Sequence, residues 1–179
     1  SYVVNKLGLD SLILISVGIN DRSRKVTRMD DLDLDTKEFF EKLSGFNTLR
    51  LILCRKTILV EGPSDELIVQ KAYLMKYGML PIEDNVDVIS VGNSFDRFLK
   101  IAVALGKQVA VVTDNDGDYD NNICKKYNEY KNYLSIEICA DNDNSLKTLE
   151  PQLVNANNDQ LKTLIQVLKM RNSDNIKKE

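Results

Sequence analysis

Thr57-Ile58-Leu59-Val60-Glu61-Gly62-Pro63-Ser64-Asp65-Glu66 passes within ten residues from an unbroken apolar run to a turn rich in acid. A short continuous apolar run reads as a strand buried on both faces, and Ile68, Ala72, Met75 and Met79 then recur at helical spacing. The unit is strand, then helix. It repeats as Val86-Asp87-Val88-Ile89-Ser90-Val91 followed by Phe95, Phe98, Leu99, Ala102 and Leu105, with Gly106 as the stop. Val109 to Thr113 supplies a third strand. Ile123, Tyr127, Tyr130 and Leu134 mark another helix, and Leu134 to Cys139 a fourth strand. Strands alternating with helices predict an α/β fold with a mostly parallel sheet covered on both faces.

Outward from this core, Leu12 to Val17 reads as a strand. A polar turn from Gly18 to Lys25 and a return through Val26 and Met29 complete a hairpin. Asp35-Thr36-Lys37-Glu38 has a capping-box pattern before Phe39, Phe40 and Leu43, with Gly45 as an interruption and a short helix from Asn47 to Cys54. Beyond Glu150-Pro151, a helix carries Leu161, Leu164, Ile165 and Leu168, and the tail from Arg171 to Glu179 reads as frayed. The expected organisation is an N-terminal extension over 1–55, a core over 56–154, and a C-terminal helix and tail over 155–179. The abrupt opening, Ser1-Tyr2-Val3-Val4 without Met, reads as a fragment of something longer.

Composition narrows the chemistry. The 179 residues suit one domain with an appendage, and 43% hydrophobic with 28% charged residues indicate a folded, soluble chain. There is no histidine, which removes Ser-His-Asp hydrolases, Cys-His proteases, HExxH zincins and histidine-metal nucleases. Cys54, Cys124 and Cys139 form no CxxC pair, and their odd number suits a reducing, cytoplasmic compartment. No apolar run approaches the roughly 20 residues that span a bilayer. A formal net charge of −3 argues against holding nucleic acid by bulk electrostatics alone, so such a role needs metals or a partner.

In open α/β sheets, ligands bind beyond the carboxyl ends of the strands. The residues there are acidic: Glu61 with Asp65 and Glu66 after one strand, and Thr113-Asp114-Asn115-Asp116-Gly117-Asp118 after another. Hard cations such as Mg²⁺ take carboxylate oxygens and keep waters, so acids clustered at a sheet edge suit a magnesium site. Glu61 ends a buried strand, where an unpaired carboxylate is costly; an ordinary strand-end acid is the competing reading. Glu66 is read as favouring the helix dipole, and Asp65 as able to curl back toward the cation of Glu61. Asp114 and Asp116 bring like charges together, which disfavours ionising both without a metal. Asp118 and Asp120 read as the start of a following helix.

An EF-hand starting at Asp114 fails, with Tyr119 in place of Gly and Lys125 in place of Glu. Neither GxxxxGK[ST] nor GxGxxG occurs. A strand followed by DxDG also resembles the nucleophile loop of haloacid-dehalogenase-type phosphatases, in which Asp114 attacks phosphate. That pattern expects Thr where Asp118 stands, and it leaves Glu61 unexplained.

A lone Glu after one strand and a DxD after a later strand resemble the TOPRIM pattern of topoisomerases, primases and several nucleases. Leu59 to Glu66, Val111 to Asp118, Ile89-Ser90-Val91-Gly92 with Phe95 and Phe98, and Leu149-Glu150-Pro151 narrow it. Together they resemble the TOPRIM half of the overcoming-lysogenization-defect (OLD) family, in which an ABC-type ATPase precedes a nuclease. The opening Ser1 to Leu7 is similar to the stretch following that ATPase. The resemblance implies a Mg²⁺- or Mn²⁺-dependent DNA endonuclease using one or two ions. Glu61, Asp65, Asp114, Asp116 and Glu150 are the implied metal ligands, and Glu61, Asp114 and Asp116 the implied catalytic group. ATP enters only through the ATPase, which is absent from this chain. Further implied are a homo-oligomer in the full protein, a role in anti-phage defence, and a helicase-like partner as in the Gabija system. The family's catalytic lysine lies in a later helix and is assigned to none of Lys169, Lys177 or Lys178.

Bound ions of this kind would activate a water and neutralise charge on the leaving oxygen, so no histidine is required. Lys125, Lys126 and Lys131 are candidates for backbone contact, with a solvated polar face as the competing reading. The competing functions are the phosphatase and a non-catalytic Mg²⁺-binding assembly module.

Overall fold

The computed structural model describes residues 13–17, 24–28, 34–35, 37–38 and 46–167. The expectations for the opening residues, for Phe39, Phe40 and Leu43, and for the tail lie outside these. The hairpin is formed by β1 (Ile13–Val17) and β2 (Arg24–Arg28), antiparallel with Ile15 opposite Val26. The side chains of Ile13, Ile15, Arg24, Val26 and Arg28 are all exposed.

The main body is mixed α/β, as the alternation predicts. A four-stranded parallel sheet has the order β4-β3-β5-β6, built from β3 (Lys56–Val60), β4 (Val86–Ser90), β5 (Gln108–Val112) and β6 (Ile136–Cys139). The helices, in chain order, are α1 (Phe46–Leu53), α2 (Pro63–Tyr77), α3 (Phe95–Leu105), α4 (Leu149–Ala156) and α5 (Leu161–Val167). Packing divides the chain into two compact units, Ser1–Val111 with Tyr133–Glu137, and Val112–Asn132 with Ile138–Glu179.

In the first unit β3 and β4 pair in register from Lys56 opposite Val86 to Val60 opposite Ser90. Leu59, Val60, Val88 and Ile89 are buried, as expected for a strand pair covered on both sides. Helix α3 buries Phe95, Phe98, Leu99, Ile101, Ala102 and Leu105, and ends at Gly106, whose positive φ of 64° closes the helix. Each of the buried Phe, Leu and Ile side chains contributes about 1.5–3 kcal/mol by leaving water, and Ala102 less.

Helix α1 is pinned at its last turn. The Nζ of Lys107 donates to the carbonyl oxygens of Ile52 and Cys54, which the helix leaves without partners of its own. Burial pulls the Lys107 ammonium below its ordinary pKa and pushes the Cys54 thiol above its own, the latter helped by Asp87.

Three expectations need correction. Helix α2 does not bury the Ile68, Ala72, Met75 and Met79 stripe: Ala72 is exposed, Met75 is 76% exposed, and Met79 lies past the helix end. The half-buried positions are Asp65, Glu66, Ile68, Val69, Gln70, Tyr73 and Leu74, so of the expected stripe only Ile68 is partly covered. The segment after the DxD loop is a π-helical turn (Asp120–Lys125) and a 3₁₀ turn (Asn128–Tyr130) in place of one α-helix. It still buries Ile123, Tyr127 and Tyr130 as the spacing predicts, but Leu134 is fully exposed and β6 begins two residues later, at Ile136.

Candidate metal centre

Glu61 follows β3 directly. Its carbonyl oxygen accepts hydrogen bonds from the Gly92 N–H at 2.9 Å and the Ser90 hydroxyl at 3.1 Å, which extend the β3–β4 pairing past the strand ends. Its side chain is half-buried. Pro63 opens α2, where a missing N–H costs nothing. Asp65 Oδ2 accepts the Gly62 N–H at 2.8 Å, capping the helix start and holding its carboxylate against the residue after Glu61. Glu66 turns elsewhere, to Arg50 at 3.5 Å and to the Gln70 side-chain amide at 3.3 Å.

In the second unit, Asp114 and Asp116 flank Asn115 just beyond β5. Asn115 is 0% exposed, and its amide organises the loop. Its Nδ2 donates to the carbonyl oxygens of Asp141 and Asp143, both at 2.9 Å, while Oδ1 accepts the Gly117 N–H at 2.7 Å. Its own carbonyl accepts the Asn122 Nδ2 at 2.9 Å. Asp116, at φ 53°, sends its N–H to the Lys147 carbonyl at 3.0 Å. The DxD loop and the 141–147 segment are thereby stitched by side chain and main chain alike. Sequence reasoning passed over Asn115, although an amide between two acids at a strand end was a signal for such a hub, since Asn supplies both donor and acceptor.

Asp118 caps the next turn: its carboxylate accepts the Asn121 N–H at 3.1 Å, and hydrogen bonds from Asn121 hold its pKa below the usual range. Asp143 is held low in the same way by Ser145. Glu150 is exposed in the first turn of α4 and accepts the Thr148 hydroxyl at 2.9 Å. Lys125 bonds the Asn121 side-chain oxygen at 2.7 Å, and the Lys126 ammonium lies 5.3 Å from the Tyr127 ring centre.

Glu61 and Asp65 are thus brought together in one unit, and Asp114 with Asp116 in the other. Among the described residues, no group of three acidic or cysteine side chains converges on one point. Magnesium needs only one or two carboxylates, its remaining positions being filled by water, so the oxygen-only, part-exposed donors fit it. A cavity of about 460 Å³ lies at the amino ends of the strands, lined in part by Lys56, Thr57, Tyr73, Tyr77 and Ser135. None of the candidate acids lines it.

A parallel α/β sheet with Glu61 after one strand and the Asp114–Asp116 pair after another fits a TOPRIM-type fold, a class of metal-dependent nucleic-acid hydrolases. More narrowly, residues 52–116, 65 of the 179, match the family "Overcoming lysogenization defect protein-like, TOPRIM domain". The match includes Glu61, Asp65, Asp114 and Asp116 and stops before Lys147 and Glu150. No curated protein matches the chain. Among the described residues, no helix is long and apolar enough to cross a membrane.

Proposed function

We propose that the chain is the nuclease part of an OLD-family ATP-dependent endonuclease, cleaving or nicking DNA phosphodiesters with Mg²⁺ or Mn²⁺. The observation that carries this reading is the family match over 52–116, which takes in both the strand-end glutamate and the DxD. Glu61, Asp65, Asp114, Asp116 and Glu150 are the proposed ligands of one or two ions. The cation, when bound, supplies Lewis acidity and positive charge for the phosphate. Glu61, Asp114 and Asp116 are the proposed catalytic group; with no histidine in the chain, these carboxylates are the natural acceptors for the proton of an attacking water. The Asp65 cap and the Asn115 hub hold the acids in place, so less ordering is left to the moment of reaction.

The proposed parent protein carries an ABC-type ATPase before this domain, assembles as a homo-oligomer in the cytoplasm, and acts in anti-phage defence with a helicase-like partner. The segment 1–55 would then join the ATPase to a nuclease core over 56–154.

Nicking of supercoiled plasmid in Mg²⁺ and in Mn²⁺ tests the reading, using the chain and its full-length parent. Loss of cleavage in both Glu61→Ala and Asp114→Ala is expected. Loss in Asp114→Ala alone, with hydrolysis of small phosphomonoesters, would replace the nuclease with the phosphatase. Metal binding without cleavage by the full-length protein would leave a non-catalytic assembly module.

A further inference from the structure

Lys147 is an exposed lysine seated beside an acidic loop. Its carbonyl accepts the Asp116 N–H at 3.0 Å, and a Cβ built on Gly117 would lie 3.9 Å from the Lys147 Cβ. The start of its side chain is therefore fixed next to the second acid of the DxD. The carboxylates nearby are engaged by neutral donors: Asp141 by the Asp143 N–H, Asp143 by Ser145, Asp118 by Asn121, and Glu150 by Thr148. Among the described residues, no carboxylate lies within ion-pair distance of the Lys147 ammonium. By contrast, Lys125 and Lys126 are taken up by Asn121 and Tyr127, and Lys107 by the end of α1.

A cation placed among acids yet paired with none is available to an anion from outside. The anion class that approaches both a cation-binding carboxylate pair and a lysine is a phosphodiester, which a lysine meets as a point charge on a flexible stem. We propose that Lys147 binds a backbone phosphate of the nucleic acid that the Asp114–Asp116 loop acts on. The assignment rests on the nuclease reading above and adds a substrate-binding residue to it. The hydrogen bonds of Asn115 and Asp116 hold the lysine at the loop, so its reach is set by the same contacts that position the acids.

The test is binding of a fluorescently labelled DNA duplex in Ca²⁺, followed by anisotropy across a salt series, for wild type, Lys147→Gln and Lys147→Arg. Lys147→Gln is expected to weaken binding several-fold at low salt, equally across unrelated sequences, and to flatten the slope of log K against log salt by about one phosphate contact. Lys147→Arg is expected to restore both. Mn²⁺ binding by calorimetry and the melting curve should match wild type in Lys147→Gln, which separates a phosphate contact from a structural or metal-holding role. Unchanged DNA binding in Lys147→Gln would overturn the assignment, and so would a wild-type chain that binds no duplex. Mn²⁺ binding that is lost in Asp114→Ala would show, in that last case, that the metal reading survives without it.

Discussion

Arg50 and Asp87 meet through two hydrogen bonds, Nε to Oδ2 at 2.8 Å and Nη2 to Oδ1 at 2.6 Å, across 37 residues of sequence. The same guanidinium donates to the Val88 carbonyl at 2.6 Å and lies 3.5 Å from Glu66, so one side chain links α1, β4 and the first turn of α2. Its pKa is raised chiefly by the hydrogen bond to Asp87, against the opposing effect of burial. Removing the arginine would strand a carboxylate that is only 7% exposed. Arg50→Met is expected to cost about 2–4 kcal/mol in urea unfolding, and Asp87→Asn clearly less, because an amide oxygen still accepts one of the bonds.

Asp65 is assigned two roles that separate chemically. The cap to Gly62 needs an acceptor oxygen, whereas holding a cation needs charge. Asp65→Asn is expected to keep the melting temperature and lose Mn²⁺ affinity. Asp65→Ala should lose about 1 kcal/mol of stability as well. A fall in stability with unchanged Mn²⁺ binding in Asp65→Ala would reduce the residue to a helix cap.

Asn115→Asp replaces two N–H donors with oxygen opposite the Asp141 and Asp143 carbonyls, at a fully buried position. The expected outcome is a loss of about 2–4 kcal/mol, with faster hydrogen exchange at Gly117 and across 141–147. Protection equal to wild type in that segment would show that the amide does not hold the loop.

The Tyr73 hydroxyl donates to the Asp84 carboxylate at 2.5 Å, which, ahead of burial, pushes its pKa from 10.0 up to about 12. The folded value lies above the unfolded one, so the contribution of this bond is complete below pH 10 and lost as pH rises through 12. An absorbance titration of wild type against Tyr73→Phe should show the variant losing one phenolate transition near pH 12.

The fold was legible where the sequence is apolar and regular. β3, β4 and α3 run as the spacing of Leu59, Ile89 and Phe98 predicts, because each is buried in the manner its pattern requires. The face of α2 was not legible. Its apolar residues are spread around the helix, with Ile68, Val69, Tyr73 and Leu74 only half-buried and Met75 in solvent. The π-helical turn at Asp120–Lys125 was equally hidden: Ile123 and Tyr127 sit at helical spacing, and nothing in that periodicity reveals an extra residue per turn. Of the candidate centre, the acids themselves could be read. Asn115 could not be ranked, since its importance lies in carbonyl groups 26 and 28 residues away.

Asp116 is also one of two non-glycine residues with positive φ among those described, at 53°, ahead of Gly117 at 82°. Two independent filters therefore act on one position. The backbone tolerates Gly, Asn or Asp there far better than any larger or branched residue. The proposed chemistry accepts only the carboxylate. Asn passes the first filter and fails the second, so in a saturation library position 116 should yield a single well-folded polar substitution without activity, and its frequency among stable but silent clones would read out the two demands separately.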